Sequence, residues 1–490
     1  MRPTRVLLIL AVSGLVAVSC VPFFPVGSGV IVDEAGAVVV VRWPAALEVD
    51  EGEQVSHYDI EVDGVVVGSV DAPATSCVLA GLEPNTSYTV AVSAIDDTGE
   101  WSGQVTAEGY QDIFRPTGLI TTPADLVGGP LSCTPGTDTD GDRLPDIVET
   151  DTGVFTNLAD TGTDPFDSDT DADAIDDGDE VLGTVDRLDL PALGVSPLHQ
   201  DLLLEFDWFD DALDGCGAHS HQPSATAMAM LAAPFAASPV TNPDGTTGIN
   251  VIADHGQGGL FVGGGLIDDP DGVIAGGVSG ADYLGYKQAH FAPERDGYFH
   301  YVLMPHRYNT SSGSSGQAEL SGDDMIVSLY CYGSDYNVAT TSAHELGHNL
   351  GLHHGGSESR NNKPNYNSVM NYLFQFPGID TDCTPTGNGV IDYSSGARVA
   401  LDENDLDEAG GLCGGVAWDW NGDTVVESGV AQDINGDGGL HVLSDHDDWA
   451  NLYLSGVGDA DGAAPVGEHR SFTVAPLVTE QPIPPAYRTD

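Results

Sequence analysis

Three histidines and one glutamate, close together in the sequence, have the types and spacing of a metal-dependent hydrolytic site. His344 and His348 are four positions apart, so on a helix both imidazoles lie on one face and can bind a single cation. Glu345 adjoins the pair, where its carboxylate can take a proton from an attacking water and pass it to the leaving nitrogen. Gly351 allows a sharp turn after the helix, which lets His354 return as a third ligand.

The whole pattern, HExxHxxGxxH, fixes five positions between 344 and 354, and this makes a chance match rare. Two alternatives to the assignment remain open. His353 competes with His354 for the place of the third ligand, because the two residues are adjacent. The second alternative is a histidine-rich helix end whose imidazoles form only structural hydrogen bonds.

These residues resemble the metzincin clan of zinc metallopeptidases, and residues 368–372, Ser-Val-Met-Asn-Tyr, are similar to the Met-turn of that clan. The resemblance implies that His354, and not His353, completes a zinc site with an open fourth position. It also implies that Met370 forms an apolar floor beneath the ligands, and that Tyr372 is a displaceable ligand that stabilises the oxyanion. The alternative is that Met370 and Tyr372 are ordinary core residues, and the branch of the clan stays open.

The elements that must position this site follow a mixed α/β pattern over residues 197–456, which we predict to be a metzincin-like zinc peptidase domain. Apolar runs predict strands, an Ala- and Met-rich stretch predicts a helix, and a further helix is expected to begin near Asn337. The predicted strands are 202–208, 249–253, 298–305 and 325–330, and the predicted helix is 224–237. The proline-containing residues 457–490 are predicted to form an extended tail.

An all-β pattern precedes this domain at residues 36–112, where short apolar runs alternate with turn signals and predict a β-sandwich. Asp63 and Gly64 lie between two of these runs and predict a two-residue hairpin, since both residues must take positive φ. The motif LxPxTxY at 82–88, together with Trp43, resembles the fibronectin type III module. We interpret this module as a spacer in preference to a dedicated adhesive domain, because its fold alone implies no activity.

Residues 134–184 consist largely of Asp, Gly and Thr, with few apolar residues that could form a core, and contain two loops with one spacing of acidic residues. Those at the first, third, fifth, ninth and twelfth places are Asp138, Asp140, Asp142, Asp146 and Glu149 in one loop and Asp169, Asp171, Asp173, Asp177 and Glu180 in the other. Ca²⁺ is bound by oxygen ligands at such places. From 138 to 180 there are 16 acidic residues and one basic residue, so order here is expected to need cations. The alternative is a solvated acidic linker.

The spacing resembles bacterial thrombospondin type 3 repeats, which implies that Ca²⁺ is a structural cofactor. Arg143 and Ala174 occupy the sixth place of the two loops, where an EF-hand has its turn glycine, so helical EF-hand geometry is not expected. Two more clusters, at 419–423 and 433–437, have the pattern DxNxD but no glutamate at the twelfth place. A calcium site there would need ligands from elsewhere in the chain.

Residues 1–20 have the pattern of an export signal, because Arg2 and Arg5 precede an apolar stretch that is too short to span a membrane as a mature helix. The end of this stretch resembles a bacterial lipobox, which implies acylation of Cys20. With that lipid the protein is expected at the bacterial cell surface as an outer-membrane lipoprotein. Without it, the same signal predicts an extracellular protein.

The remaining cysteines are even in number, which permits disulfides in an exported chain. They are Cys77, Cys133, Cys216, Cys331, Cys383 and Cys413. The sequence does not choose among their pairings. None of them is in a CxxC pair, so neither a redox motif nor a cysteine-based zinc site is indicated.

The charge of the chain argues against two classes of partner, nucleic acids and anionic membrane surfaces. The 490 residues include 76 acidic and 14 basic side chains, for a formal net charge of -62. Nucleic acid and anionic membrane surfaces are disfavoured, because too few Lys and Arg residues are present to form a basic surface. A hydrophobic fraction of 41% is enough for packed cores, so the acidity belongs to folded domains.

The sequence therefore predicts a multidomain, secreted or surface-anchored zinc-dependent endopeptidase. It would hydrolyse protein or peptide substrates through a zinc-activated water, with Glu345 as general base. The alternatives from other classes are a surface adhesin and a calcium-binding protein, each with a non-catalytic protease-like domain. The intact Glu345 disfavours the first, and a three-histidine set without a fourth protein ligand in the sequence favours an open catalytic site.

Overall fold

Two antiparallel sheets of four strands form the core of the first structural unit, which takes in residues 1–151 and 155–165. Its strands are β1 (Ile31–Ala35), β2 (Val38–Arg42), β3 (Val55–Val62), β4 (Val65–Asp71), β5 (Ser76–Ala80), β6 (Ser87–Asp96), β7 (Thr117–Thr121) and β8 (Ser132–Thr134). One sheet has the strand order β1-β2-β5-β8 and the other has the order β4-β3-β6-β7. The predicted β-sandwich is confirmed.

The computed structural model describes residues 22–24, 29–35, 37–47, 54–99, 101–102, 117–122, 128–186, 188–211, 217–268, 272–308, 313–331, 333–454 and 477–479. The predicted export signal at 1–20, with Cys20, lies outside these residues, and so does Cys216. No helix in this described part of the chain has the length and apolarity needed to cross a lipid bilayer.

Local signals in the sandwich act as the sequence predicts. Asp63 and Gly64 have φ values of 49° and 81°, which are the positive values that a two-residue hairpin requires. Trp43 is buried in the core, and the Tyr88 hydroxyl accepts a hydrogen bond from the backbone N–H of Glu83 at 3.0 Å. A disulfide joins Cys77 of β5 to Cys133 of β8.

The sandwich extends beyond the predicted limits of 36–112. It begins with β1 at Ile31 and is completed by β8, which pairs with β5 through residues 132–134. Strand β1 contains an acidic pair and β8 has three residues, so neither has the alternating pattern by which a strand is recognised in sequence.

The second unit, residues 152–154 and 166–490, contains a mixed sheet with helices. Its helices are α1 (Asp177–Leu182), α2 (Leu190–Leu193), α3 (Ala225–Ala236), α4 (Ala281–His290) and α5 (Asp335–Asn349), with short 3₁₀ helices at Pro293–Arg295 and Trp449–Asn451. Its strands are β9 (Asp201–Asp211), β10 (His219–Ser220), β11 (Asn250–Asp254), β12 (Leu266–Ile267), β13 (Val273–Ile274), β14 (Phe299–Met304), β15 (Arg307–Tyr308), β16 (Gly316–Glu319), β17 (Asp324–Val327), β18 (Leu401–Asp402), β19 (Leu406–Asp407), β20 (Ser428–Val430), β21 (Val442–Leu443) and β22 (Leu477–Thr479).

The main sheet has the order β10-β9-β14-β17-β16-β22, and β11 and β12 also pair with β9. Strands β9, β14 and β17 are parallel, whereas β16 runs antiparallel to β17. Alternate residues of β9 belong to different cores: Leu202 and Leu204 pack with α3 and α5, and Leu203 packs with Tyr283 of α4. The sheet is therefore covered on both faces, as the α/β prediction implies.

Two predicted segments differ from expectation. The acidic residues 134–184 do not form a unit of their own, since the first loop belongs to the first unit and the second loop to the second. The few apolar residues of the segment, which were not expected to form a core, include Leu144 and Ile175 at the seventh place of the loops, and both are buried. The predicted tail contains a strand, β22, which pairs antiparallel with β16 and extends the main sheet.

Candidate metal centres

Helix α5 positions the first two histidines of the site. The Ser334 side chain accepts a hydrogen bond from the N–H of Asn337 at 3.1 Å and caps the helix, and His344 and His348 follow on one buried face. The Nδ1 of His344 is 2.7 Å from the Val369 carbonyl, and the Nδ1 of His348 is 2.6 Å from the Leu352 carbonyl. Each Nδ1–H donated in this way leaves Nε2 as the metal-binding nitrogen, which is the usual arrangement behind a zinc ligand.

His354 returns to these two residues after the helix ends. Gly351 has a φ of 91°, a left-handed conformation that glycine adopts readily. The Nε2 atoms of His348 and His354 are 3.2 Å apart, and the ligand atoms of the three histidines lie within 4.8 Å of one another. Two nitrogens bound tetrahedrally to zinc at 2.0–2.1 Å would be about 3.3 Å apart, so this donor set fits Zn²⁺.

His353 lies differently from its neighbour. Its backbone forms a reciprocal pair of hydrogen bonds with Gly356, and the residue is half-buried. Burial lowers the pKa of His353, and the adjacent His354 lowers it further. The structure thus brings His354, and not His353, together with the two histidines of α5.

The carboxylate of Glu345 is buried next to β16, the antiparallel strand of the main sheet. A Cβ added to Gly316 would overlap the Glu345 carboxylate and would also approach the backbone oxygen of Ile326. Gly316 is therefore a residue that the sequence analysis missed. Its Ser- and Gly-rich surroundings are typical of a loop, and no local signal indicates that it lies against Glu345.

We predict that Gly316→Ala lowers the turnover number about 10- to 100-fold while zinc content stays the same, because the new methyl group displaces the carboxylate but no ligand. Gly285→Ala in α4 is the matched control, since a Cβ there meets open space. The measurement is steady-state peptide hydrolysis with metal analysis of the same samples. Equal turnover in both variants would contradict the assigned contact.

The two residues of the predicted Met-turn also lie at this site. Met370 is fully buried, and its sulfur occupies the space that a Cβ on Gly347 of α5 would fill. The ring of Tyr372 is 4.2 Å from that of His354 and 5.8 Å from that of His344, measured between centroids. The structure therefore places Met370 against the helix and Tyr372 beside the imidazoles.

A buried network supports the segment that leads into this turn. The Tyr366 hydroxyl is 2.9 Å and 3.0 Å from the two carboxylate oxygens of Asp448, and one of these oxygens also accepts the N–H of Ser394 at 3.0 Å. Burial raises the pKa of Asp448 to about 7, and these hydrogen bonds oppose the rise. A second disulfide, Cys383–Cys413, lies between the Met-turn and Asp448 in the sequence. Cys331 is also disulfide-bonded.

The two acidic loops share one backbone conformation. The first-place Asp138 accepts the N–H of Arg143 at 3.1 Å, and the first-place Asp169 accepts the N–H of Ala174 at 2.9 Å. Arg143 and Ala174 have φ values of 84° and 75°, so the left-handed turn forms at the sixth place without glycine. This conformation costs about 1–2 kcal/mol for such residues.

The ninth-place aspartate accepts the same pair of hydrogen bonds in both loops. Asp146 accepts hydrogen bonds from the backbone N–H and the hydroxyl of Thr139, both at 2.8 Å. Asp177 accepts the same two from Thr170, at 3.0 Å and 2.6 Å. The recurring threonine at the second place was not recognised in the sequence analysis, although TxxxxxxD recurs there.

The second loop holds buried carboxylates that no side chain satisfies. Both carboxylate oxygens of Asp171 and of Glu180 are buried without a hydrogen-bond partner among the described residues. Burial raises the pKa of Asp171 to about 8, with Asp169, Asp201 and Asp177 adding to it by repulsion. Burial and neighbouring carboxylates also raise the pKa of Glu180 well above its usual value. Oxygen donors that are crowded and buried in this way fit a hard cation such as Ca²⁺.

A glutamate from outside the pattern accepts backbone N–H groups at each of the later clusters, 419–423 and 433–437. Glu408 accepts the N–H groups of Trp420 and Glu427, at 2.8 Å and 3.1 Å. Glu403 does the same at the other cluster, with Ile434 at 2.7 Å and His441 at 2.8 Å. The repeated Leu-Asp-Glu at 401–403 and 406–408 is the signal that could have found these two glutamates.

Comparison with known proteins identifies a domain within the first unit. The fibronectin type III domain family matches residues 25–108, which confirms that part of the sequence analysis. No curated protein matches the chain.

Three solved structures are similar to part of the chain. The spore cortex lytic enzyme SleM of Clostridium perfringens is 19% identical, with 19% of this chain and 27% of that one covered and a TM-score of 0.16. The central fibronectin-III array of RIM-binding protein is 18% identical, with 21% of this chain and 34% of that one covered and a TM-score of 0.16. The chain thus spans less than two thirds of either protein. The sixth fibronectin type III domain of human fibronectin type III domain containing protein 3 is 23% identical, with 21% of this chain and 86% of that one covered and a TM-score of 0.15.

Proposed function

We propose that this protein is a zinc-dependent endopeptidase of the metzincin type. The observation that carries the proposal is the convergence of His344, His348 and His354, with the buried Glu345 next to the first of them. Three imidazoles are the donor set of a catalytic zinc site, in which a fourth position is kept for water or substrate. A structural zinc site would usually have four protein ligands.

The residues of the site have separate roles in peptide hydrolysis. Zinc, when bound by the three histidines, supplies a Lewis acid that polarises the scissile carbonyl and lowers the pKa of water. Glu345 takes the proton of the attacking water and delivers it to the leaving nitrogen. The hydroxyl of Tyr372, whose ring lies beside His354, donates a hydrogen bond to the oxyanion. Met370 packs against α5 and forms the apolar floor beneath the histidine ligands.

The rest of the chain fits an exported enzyme. The two acidic loops at 134–184 bind Ca²⁺ and stiffen the region before the catalytic domain, and the fibronectin type III module is a spacer. The substrates are proteins or peptides, since a chain with 76 acidic and 14 basic residues disfavours nucleic acid. The protein is secreted, or attached to the bacterial surface if Cys20 is acylated.

A surface adhesin or calcium-binding protein with an inactive domain is the alternative. The position of Glu345 argues against it, because a purely structural zinc site has no use for a buried carboxylate beside its ligands. Gly316 supports the same conclusion, since its missing side chain makes room for that carboxylate.

The experiment that tests the third ligand compares two adjacent substitutions. His354→Ala should lower zinc content and peptide hydrolysis together, whereas His353→Ala should lower neither. Loss of a group behind a ligand costs about 10- to 100-fold in metal affinity, so loss of the ligand itself should cost more. Zinc content and casein hydrolysis are measured on both variants of the full chain. If the two variants exchanged results, the assigned third ligand would be wrong.

A further inference from the structure

A second group of three histidines lies elsewhere in the second unit. His219 and His221 are two positions apart at β10, a spacing that places side chains on one face of a strand. His306 follows β14, 85 positions later. Strand β10 pairs with β9, which in turn pairs with β14, so the sheet brings the three residues together.

The distances within this group are those of a metal site. The Nε2 of His221 and the Nδ1 of His306 are 3.3 Å apart, and the ligand atoms of all three residues lie within 4.8 Å of one another. Nitrogens bound tetrahedrally to one zinc ion would be about 3.3 Å apart. The separation at the α5 histidines, 3.2 Å between Nε2 atoms, is nearly the same.

His219 also has the hydrogen bond expected behind a ligand. Its Nδ1 is 2.8 Å from the carbonyl oxygen of Gly217, which can only accept, so Nδ1 is the donor and Nε2 is the nitrogen that would bind a metal. That Nε2 is buried and has no hydrogen-bond partner among the described residues. Burial of a basic nitrogen without a partner is unfavourable, and a bound cation removes the cost.

We propose that His219, His221 and His306 bind a second transition-metal ion of the Zn²⁺ class. Imidazole nitrogens select zinc and its first-row neighbours and are poor ligands for Ca²⁺, so this site would not compete for the ion of the acidic loops. The metal joins β10 to the residues that follow β14 and so stabilises that end of the sheet. The proposal does not depend on the peptidase function, because no residue is shared with the α5 site.

The alternative is a structural pair of histidines. A hydrogen bond between His221 and His306 explains the 3.3 Å distance by itself. It does not explain the third imidazole, whose ring centroid is 4.7 Å from that of His221 and 5.4 Å from that of His306. A metal site accounts for all three.

The test is the number of zinc ions per full-length chain, measured by elemental analysis after saturation with a small molar excess of Zn²⁺ in excess Ca²⁺ and removal of unbound ions. Wild type should bind two ions. His306→Ala and His219→Ala should each bind one, and His344→Ala should also bind one by losing the other site. His290→Ala, at an exposed histidine of α4, should still bind two.

His219 is more exposed than His306, so its replacement keeps the test valid if His306→Ala fails to fold. Added Zn²⁺ should raise the melting temperature of His344→Ala, which retains the second site, more than that of the double variant His344→Ala/His219→Ala. Two zinc ions in His219→Ala and His306→Ala, or one in wild type that His344→Ala abolishes, would overturn the proposal.

Discussion

Glu345→Ala is expected to abolish peptide hydrolysis while zinc stays bound. The three histidines proposed to bind the metal are untouched, and the Nδ1 hydrogen bonds of His344 and His348 to backbone carbonyls do not involve the glutamate. What is lost is the group proposed to move the proton from the attacking water to the leaving nitrogen. General acid–base catalysis contributes about 10²- to 10⁴-fold, so turnover should fall by several orders of magnitude.

The control for this substitution is Glu294→Ala, which removes an exposed carboxylate from the same unit. Its turnover and zinc content should equal those of wild type. Turnover and bound zinc are measured together, so that a loss of metal is distinguished from a loss of the base. Hydrolysis by Glu345→Ala at the wild-type rate would remove Glu345 from the mechanism.

Removal of Ca²⁺ is expected to open the acidic segment to proteolysis. Within the described part of the chain, the carboxylates of Asp171 and Glu180 are buried without a hydrogen-bond partner, and the nearby acidic residues repel one another once no cation lies between them. A site that is filled at about 100 times its Kd contributes about 2.7 kcal/mol to folding, which is lost with the ion. A calcium-selective chelator should therefore accelerate cleavage between 134 and 184 by an added protease.

Zinc should remain in the protein during this treatment, because imidazole nitrogens hold it and the chelator prefers Ca²⁺. Asp171→Asn should be cleaved quickly with or without Ca²⁺. Asp151→Asn is the matched control, since Asp151 is exposed between the loops and Asn tolerates its φ of 48°. Equal protease resistance of wild type with and without Ca²⁺ would restore the interpretation of the segment as an acidic linker.

The sequence predicts the parts of the fold that local signals determine. The helix that is expected to begin near Asn337 begins at Asp335, and the four-residue spacing of His344 and His348 places both on one face of it. The hairpin at Asp63 and Gly64 is local in the same way, because the φ values that it needs belong to those two residues.

Contacts between distant segments were not predictable. Gly316 reaches Glu345 only because β16 pairs antiparallel with β17, and nothing in the sequence specifies that pairing. The same is true of His219 and His306, which the order of β10, β9 and β14 brings together. Each histidine alone is unremarkable in a chain with 15 of them.

In the acidic loops, the backbone adopts a conformation that the local residue types disfavour. Arg143 and Ala174 disfavour the left-handed turn, yet both adopt it. The backbone N–H groups of Arg143 and Ala174 donate hydrogen bonds to the first-place Asp138 and Asp169, and these bonds offset the cost. Cation binding to the surrounding carboxylates would stabilise the same conformation.

The most direct test of the proposed function is digestion of casein by the purified full-length protein before and after zinc removal. We expect new peptide termini, found by mass spectrometry, with the zinc-loaded protein. We expect none after chelation, and recovery when Zn²⁺ is added back in the presence of Ca²⁺. Glu345→Ala, loaded with zinc, should produce none. Cleavage that persists in the metal-free protein, or absence of cleavage by the zinc-loaded wild type across casein, gelatin and a peptide library, would contradict a zinc-dependent endopeptidase.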